Sequence, residues 1–267
     1  MTLFAALRSF ARHRQLIWQM TKREVIGRYR GSILGILWSF LHPVFMLTIY
    51  TFIFSVVFKA KWGTGTDDKT EFAMILFAGL IVFNLFSETV SRSPSLINSN
   101  VNYVKKVVFP LEILPLVSVL SSCFHSLVSI GVLILFRLVI GSGFSLTTFL
   151  FPFVIVPLLL FSLGVAWVLA AMGVYLRDVS QIIGMAMTAL MFVSPIFFPI
   201  SALPVNYRNI VYLNPLSFLI EQGREVLIFS HLPDWEGLLL YSAIGSVTTF
   251  IGLVIFQKAR TGFADVL

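Results

Sequence analysis

Residues 149–175, FLFPFVIVPLLLFSLGVAWVLAAMGVY, decide the fold of this chain. The stretch contains no Asp, Glu, Lys or Arg. A helix on the surface of a soluble protein needs a polar face, and this stretch has none. About 20 apolar residues are enough to cross the hydrocarbon core of a bilayer. The stretch therefore predicts a membrane-spanning helix.

The same character extends over the whole chain. Hydrophobic residues make up 58% and charged residues 12% of its 267 residues, and the mean hydropathy is +0.93. Soluble domains contain about 45–50% apolar and about 25% charged residues. We therefore predict an all-α membrane protein with a single transmembrane domain over residues 1–267. Six transmembrane helices are expected within residues 33–257, at 33–58, 72–91, 111–138, 149–175, 179–200 and 237–257.

The distribution of basic residues predicts the orientation of the chain. Placing both termini in the cytoplasm puts most of the 19 Lys and Arg residues on the cytoplasmic side, as the positive-inside rule requires. Residues 1–32 then form a cytoplasmic or interface helix, and residues 258–267 form a cytoplasmic tail. The same bias accounts for the net charge of +7, so we expect no nucleic-acid partner.

Residues 15–32 mix apolar side chains such as Trp18 with the basic residues Lys22, Arg23, Arg28 and Arg30. This pattern is typical of an amphipathic helix that lies at the membrane surface. An ordinary solvated helix without a membrane role is the alternative.

Residues 201–236 are too interrupted by polar residues and prolines to cross a membrane, although 210–229 stays largely apolar. Irregular backbone persists at membrane depth only where protein covers it or where it lines a wet cavity. We therefore predict a helical hairpin that re-enters from the outer face before the last span, and a helix lying on the surface is the alternative. The residues that characterise the hairpin are Asn214, Pro215, Glu221 and Arg224.

Four stretches together resemble the permease family of bacterial ABC exporters for O-antigen, capsule and teichoic-acid polymers. Their order and spacing agree with the family over nearly the whole chain. They are KREVIGRYRGSILGILWSFLHPVFMLTIYTFIFSVVF at 22–58, NSNVNYVKKVVFPLEILP at 98–115, YLRD at 175–178 and NPLSFLIEQGREVL at 214–227.

The resemblance implies a multi-pass protein of the bacterial inner membrane. Two permeases would form a homodimer with a pore between them, joined to two copies of a separate ATP-binding subunit. The chain contains no G-x-x-x-x-G-K-[ST] phosphate loop, so we expect the partner to bind ATP and Mg²⁺. The chain itself is then a transport subunit without enzymatic activity, metal or cofactor.

The resemblance also implies which residues meet the ATPase. In the family, the cytoplasmic loop after the second span carries a coupling helix, and here that loop is the polar segment 92–110. From its composition alone, a connecting loop that meets lipid phosphates would be an equal reading. The residues assigned to ATPase coupling are Ser95, Asn98, Asn100, Tyr103, Lys105, Lys106, Arg177 and Asp178.

The implied substrate is a polysaccharide such as O-antigen, linked to undecaprenyl pyrophosphate. Arg28 and Arg30 would meet its head group, although ordinary lipid phosphates explain them equally well. Aromatic residues make up 15% of the chain, with 27 Phe. Aromatic rings attract the apolar faces of sugars without strong directionality, which suits a threaded polymer. The predicted pore-lining aromatics are Phe40, Tyr50, Phe54, Phe83, Phe86, Phe192 and Phe197.

Two ionisable residues within apolar runs are expected to form local ion pairs. Glu88 precedes Arg92 by one helical turn, and Arg224 follows Glu221 by three residues.

Two other functions are weighed against polymer export. An intramembrane transferase would need acid and base groups, or a metal site, at one depth, whereas the four histidines, His13, His42, His125 and His231, are dispersed along the chain. An ABC exporter permease for a drug, haem or lipid would share the same architecture. The short outer loop expected at about 59–71 favours the polymer, because many exporters of the other kinds insert a large domain there.

Overall fold

The computed structural model describes residues 3–57, 62, 70–105, 109–141, 143 and 145–267. The described residues form helices, turns and loops, and none of them lies in a β-strand. The α-helices are α1 (Leu3–Arg12), α2 (Arg14–Gly27), α3 (Trp38–Tyr50), α4 (Glu71–Arg92), α5 (Val101–Lys105), α6 (Ile113–Ile140), α7 (Phe151–Tyr175), α8 (Val179–Val193), α9 (Val205–Leu213), α10 (Pro215–Arg224), α11 (Trp235–Arg260) and α12 (Phe263–Val266). This confirms the all-helical class predicted from composition.

Among the described residues, five helical stretches are long and apolar enough to cross a membrane. Short 3₁₀ and π turns extend some of the α-helices at their ends, so these stretches are longer than the α-helices alone. They are Gly35–Phe54, Glu71–Ser95, Ile113–Ile140, Leu146–Tyr175 and Trp235–Arg260.

The sixth predicted span, at 179–200, differs from the prediction. Its helix α8 is apolar but has only 15 residues and ends at Val193. The reason is local, since Ser194 adopts an extended conformation (φ −72°, ψ 147°) and precedes Pro195. A residue before proline is disfavoured in the α region because the proline ring clashes with it. The described residues thus include five helical stretches long enough to cross a membrane and one shorter apolar helix, α8.

Helix α4 lies at the centre of the bundle. It packs against α3, α6, α7, α8 and α10, and most of its residues are buried. Ala73, Ile75, Leu76 and Ala78 have no exposed surface at all. A helix that is hydrophobic all round is expected to be buried, and here the surrounding helices cover it.

Helices α7 and α11 pack along a longer interface than any other pair of helices among the described residues. A Cβ atom built on Gly164 of α7 would lie 2.5 Å from the backbone carbonyl of Thr248 in α11. Gly252 of α11 sits in turn against the backbone of Gly164. Small residues permit such backbone contact between membrane helices, where dispersion forces replace the hydrophobic effect.

We expect Gly164→Ala to destabilise the protein by about 1–3 kcal/mol, because the added methyl group has no room against the backbone of α11. The thermal unfolding midpoint of the detergent-solubilised protein measures this effect. Gly131→Ala in α6 is the matched control, since nothing lies within 4 Å of a Cβ at Gly131. Equal midpoints for the two variants would contradict close packing of α7 on α11.

The bundle has two distinct ends. The loop end contains residues 93–105, 109–112 and 260–267, and the far end contains residues 194–234. At the loop end, Arg260 forms an ion pair with Glu112 (2.9 Å) and donates to the carbonyl oxygen of Phe109 (3.1 Å). The indole N–H of Trp167 donates to the carbonyl oxygen of Glu112 (3.1 Å). These contacts fasten the start of α6 to α7 and α11.

Candidate functional site

A polar cavity of about 740 Å³ opens at the side of the bundle nearer the loop end. Its walls are the turns that follow α2, together with α3, α4 and α6. The cavity is lined mainly by Arg, Ser and His side chains, together with Asn84 and Glu88. So many polar groups beside apolar membrane helices are costly unless they have a use, and this region is the strongest candidate site in the described chain.

A network of charges connects α2 to α4 beside this cavity. The Arg28 guanidinium lies 2.6 Å from the Glu88 carboxylate, and Arg92 lies 3.8 Å from the same carboxylate. Arg92 also forms an ion pair with Glu24 of α2. The predicted Glu88–Arg92 pair is therefore present, but Arg28 is the closer partner. Because Arg28 remains about half exposed, it retains donors for an incoming anion.

Tyr29 and His125 face each other across the cavity wall, with the Tyr29 hydroxyl 3.4 Å from His125 Nδ1. Burial raises the pKa of the Tyr29 phenol, the positive charge of Arg28 opposes this shift, and the negative charge of Glu88 adds to it. The phenol thus stays protonated at neutral pH and keeps its hydrogen-bond donor.

The arrangement suits binding rather than covalent chemistry. Glu88 is held by two guanidiniums, and guanidinium groups stay protonated, so none of these groups is a free base. Arginines fit phosphate oxygens through paired N–H groups. Arg28 and Arg30, which were predicted to meet a phosphate head group, both line the cavity.

The residues predicted to meet an ATPase lie at the loop end. Short helical turns form this segment, Ser93–Ser95 and Asn98–Asn100 before α5. The side chains of Ser95 and Lys105 are exposed, and Lys105 also contacts the carbonyl oxygen of Leu267.

Other members of this set hold the loop together. Asn98 donates to the carbonyl oxygen of Gly173 (2.8 Å), and Asn100 donates to that of Leu96 (2.8 Å). Tyr103 accepts a hydrogen bond from Arg23 of α2 (2.9 Å). These contacts tie the loop to α2 and α7.

Three members of the set remain. Arg177 and Asp178 are exposed between α7 and α8 at the same end of the bundle. Lys106 lies outside the described residues. The structure thus brings the described residues of the set to one end of the molecule.

Comparison with known proteins adds to this geometry. The family model for ABC-2 type transporters matches residues 15–228. The chain belongs to the ABC-2 type transporter family. This confirms the resemblance inferred from the four sequence stretches, and the family is one of transport subunits rather than enzymes.

Relatives of this ABC-2 chain match it over almost its full length. It is 29% identical to the O-antigen export system permease protein RfbA of Myxococcus xanthus over 97% of this chain and 98% of the relative. It is 26% identical to a protein of the same name from Klebsiella pneumoniae, over 94% and 95% of the two chains. It is 27% identical to the polysialic acid transport protein KpsM of Escherichia coli, over 88% and 90%.

The predicted pore-lining aromatics of this ABC-2 chain separate into groups. The Phe197 ring lies 6.4 Å from Phe54 and 5.8 Å from Phe192, and these three rings form a cluster at the far end. Phe40 is exposed on α3, and Tyr50 is half-buried.

Phe83 and Phe86 lie elsewhere, inside the core of the chain. They are 3% and 4% exposed, and Phe86 stacks on Phe161 of α7. Rings buried inside one chain cannot line a pore between two chains, so the proposed pore-lining aromatics do not include Phe83 or Phe86.

Arg224 at the far end corrects a sequence prediction. We expected it to pair with Glu221, but its guanidinium donates to the carbonyl oxygens of Ile75 (3.0 Å) and Ile196 (2.8 Å) and lies over the ring of Trp62. The side chain is buried, and a Cβ on Gly79 would lie 2.8 Å from it. The absence of a side chain at Gly79 lets the guanidinium reach the backbone of α4.

Sequence reasoning missed two features of the described structure. His42 and His125, which we had regarded as dispersed, line the same cavity. Arg137 is buried and donates to the carbonyl oxygen of Leu227. A basic residue within a long apolar run was the available signal for Arg137. Nothing in the sequence pattern indicates that His42 and His125 line the same cavity.

We expect Arg224→Ala to destabilise the protein by about 2–4 kcal/mol, because two carbonyl groups in a water-poor region lose their charged donor. Chemical unfolding in detergent, followed by near-UV circular dichroism, measures the change. Arg208→Ala on α9 is the control, since Arg208 also donates to two carbonyl oxygens, of Leu203 and Ser201, but is less buried. A loss no larger than that of the control would argue against a structural role for Arg224.

Proposed function

We propose that this chain is the membrane-spanning subunit of an ATP-driven ABC transporter that exports a polysaccharide across the bacterial inner membrane. The observation that carries the proposal is the near full-length match to relatives named for O-antigen export and polysialic acid transport. The arginine-lined cavity supports it, because it offers an anion-binding mouth beside the membrane. The partner ATPase supplies the energy.

The proposed topology has six crossings, with α8 as the fifth. At about 1.5 Å per residue, its 15 residues cover about 22 Å. The turns and bends that follow, residues 194–199, cover the remainder of the hydrocarbon core of about 30 Å. Both termini lie in the cytoplasm, where the basic residues concentrate.

Helix α2 is the proposed interface helix, and α9 and α10 form the proposed re-entrant hairpin. The two hairpin helices have 9 and 10 residues, too few to cross a bilayer. Asn214 joins them, capping the backbone N–H of Leu216 and donating to the Ser194 hydroxyl. The burial of α10 against α4 supports the hairpin, since interrupted backbone at membrane depth needs a protein cover.

Two permeases form the proposed homodimer, with the pore between them. Helices α3 and α8 are apolar yet poorly covered by the rest of the chain. Exposed Phe40 on α3 and exposed Met185 and Phe192 on α8 belong to these faces. They suit either a second copy of the chain or lipid, and the proposed pore between two permeases needs the second copy.

The proposed cargo is a polymer linked to undecaprenyl pyrophosphate, with Arg28 and Arg30 at its head group. The alternative is a drug, haem or lipid exporter of the same architecture. Only a short stretch separates the end of the first span at Phe54 from the start of the second at Glu71, which favours the polymer.

Reconstitution of the chain with its ATPase in liposomes tests the function. ATP should drive the transfer of a lipid-linked glycan to the opposite leaflet, where a lectin or glycosidase detects it. Transfer of ordinary lipids or haem at the same rate, with no transfer of the glycan, would support the alternative exporter.

We expect Lys105→Glu to weaken binding of the ATPase about tenfold, because Lys105 is an exposed cation on the proposed coupling segment and a reversed charge repels an acidic partner surface. Co-purification and surface plasmon resonance in detergent measure the affinity. Lys258→Glu, also exposed but on α11, serves as the control. Unchanged affinity in the Lys105 variant would remove this segment from the coupling role.

We expect the double variant Phe192→Ala/Phe197→Ala to slow polymer export severalfold while leaving assembly intact, because the sugar faces lose aromatic surface. Export is measured in the liposome assay, and assembly by size-exclusion chromatography with the ATPase. Phe250→Ala, exposed on α11, is the control. Wild-type export in the double variant would refute an aromatic track at this position.

A further inference from the structure

One face of α6 carries the polar inner wall of the cavity. Ser122, His125, Ser126 and Ser129 of this helix all line it. At about 1.5 Å per residue, the stretch from Ser122 to Ser129 covers about 10 Å along the helix. A single phosphate group at the mouth of the cavity would therefore contact only part of this wall.

Two polar atoms on this wall are buried without a hydrogen bond in the described part of the chain. Ser122 is only 1% exposed and lines the cavity, and its hydroxyl has no partner there. The Nε2 atom of His125 is also buried and without a partner. Leaving a buried donor or acceptor unpaired costs about 1–3 kcal/mol. Ser122 and His125 also line the cavity, so a polar occupant of the cavity can pair with both atoms.

The chemistry of the wall differs from that of the mouth. Serine hydroxyls donate and accept, a neutral imidazole offers one donor and one acceptor, and the amide of Asn84 on α4 offers both kinds of group. A sugar ring presents the same mixture through its hydroxyls. A phosphate mainly accepts, and the guanidiniums of Arg28 and Arg30 at the mouth match it.

We propose that this wall binds the sugar that is joined directly to the pyrophosphate of a polyprenyl-linked glycan. The pyrophosphate lies at Arg28 and Arg30, and the first sugar extends inward along Ser122, His125 and Ser126 towards Asn84. This inference rests on the proposed function, and it adds a determinant of specificity for the reducing end of the polymer. The cavity then recognises the carrier-linked end of the polymer, and the sugars farther along the polymer do not affect this recognition.

Two other occupants leave the wall unexplained. An ordinary phospholipid places its phosphate at the arginines and offers few hydroxyls to the inner wall. Water fills a polar cavity of this size when no ligand is bound, and a sugar displaces it. A single ligand that carries both a phosphate and hydroxyls pairs with the two regions at once.

The test compares two lipids that differ only in the sugar. One is polyprenyl pyrophosphate, and the other is polyprenyl pyrophosphoryl N-acetylglucosamine. Each is titrated by microscale thermophoresis into the intact permease–ATPase complex in nanodiscs. The test variant is Ser122→Ala/Ser126→Ala, and the matched control is Ser118→Ala/Ser121→Ala. Both control serines are 1% exposed on the same helix and unpartnered in the described chain, but they do not line the cavity.

We expect the test variant to bind the glycosylated lipid about tenfold more weakly, since one or two hydrogen bonds are lost, and to bind the sugarless lipid within twofold of the wild type. The control variant should bind both lipids like the wild type. Arg28→Gln should weaken binding of both lipids. Equal losses for the two lipids in the test variant, or no loss for either, would overturn the sugar site.

A second measurement does not depend on the affinity of an altered wall. Ser129→Cys, in a Cys123→Ala background, places a thiol on the wall, and Leu127→Cys places one on an exposed position of the same helix. The glycosylated lipid should slow modification of Cys at 129 by a small thiol reagent, and the sugarless lipid should not. Equal protection by both lipids, or protection at 127 as well, would contradict the proposal.

The two proposals fail in different ways. If the wild-type complex binds neither polyprenyl lipid but binds phospholipid, both the proposed cargo and this site are wrong. If it binds and exports the glycosylated lipid while the test variant does not distinguish the two lipids, only the sugar site is wrong.

Discussion

The hydrogen bonds from Arg224 to the backbone carbonyls of Ile75 and Ile196 hold the far end of the molecule together. The chain there leaves regular helix after α8, turns through α9 and α10, and returns to α11. Carbonyl groups without helical partners are expensive in a medium that contains little water. The Arg224 guanidinium supplies a donor to the Ile196 carbonyl, which lies outside the helices, and a second donor to the Ile75 carbonyl within α4. Arg137 plays a similar role, since its guanidinium donates to the backbone carbonyl oxygen of Leu227.

Helix α4 makes contacts near both ends of the bundle and so positions both of them. Near the far end it offers Ile75 and the bare surface of Gly79 to Arg224. Near the loop end it offers Glu88 and Arg92 to α2. The helix between these points is mostly buried, so it has little freedom to bend. The polar cavity and the α9–α10 segment are therefore fixed to the same rigid element.

Local properties of the sequence predicted much of the fold. The apolar runs at 149–175 and 237–257 correspond to α7 and α11. They were predictable because the length of an apolar run can be read from one continuous stretch of sequence. The run at 179–200 was predicted as a full span because apolar content outweighed the Ser194–Pro195 break that ends α8. The Glu88–Arg92 pair was predictable from its spacing, whereas the closer Arg28 partner was not.

The candidate site was predictable only in part, for a related reason. Arg28 and Arg30 stand out as arginines beside an apolar run, and both line the cavity. The partners of Arg224 are backbone carbonyls, which every residue possesses and which leave no trace in the sequence. His42 and His125 line the same cavity because α3 packs beside α6. Sequence periodicity does not encode such a long-range contact.

The position of Trp167 gives the protein a built-in optical reporter. Trp167 is 1% exposed and hydrogen-bonded to the carbonyl oxygen of Glu112, whereas Trp18, Trp38 and Trp235 are between 44% and 70% exposed. An aqueous quencher such as iodide reaches exposed indoles and leaves a buried one emitting. Trp62 is also partly buried, so in a Trp62→Phe background the residual blue emission belongs largely to Trp167. Its intensity then follows any separation of α7 from the start of α6 during a transport cycle.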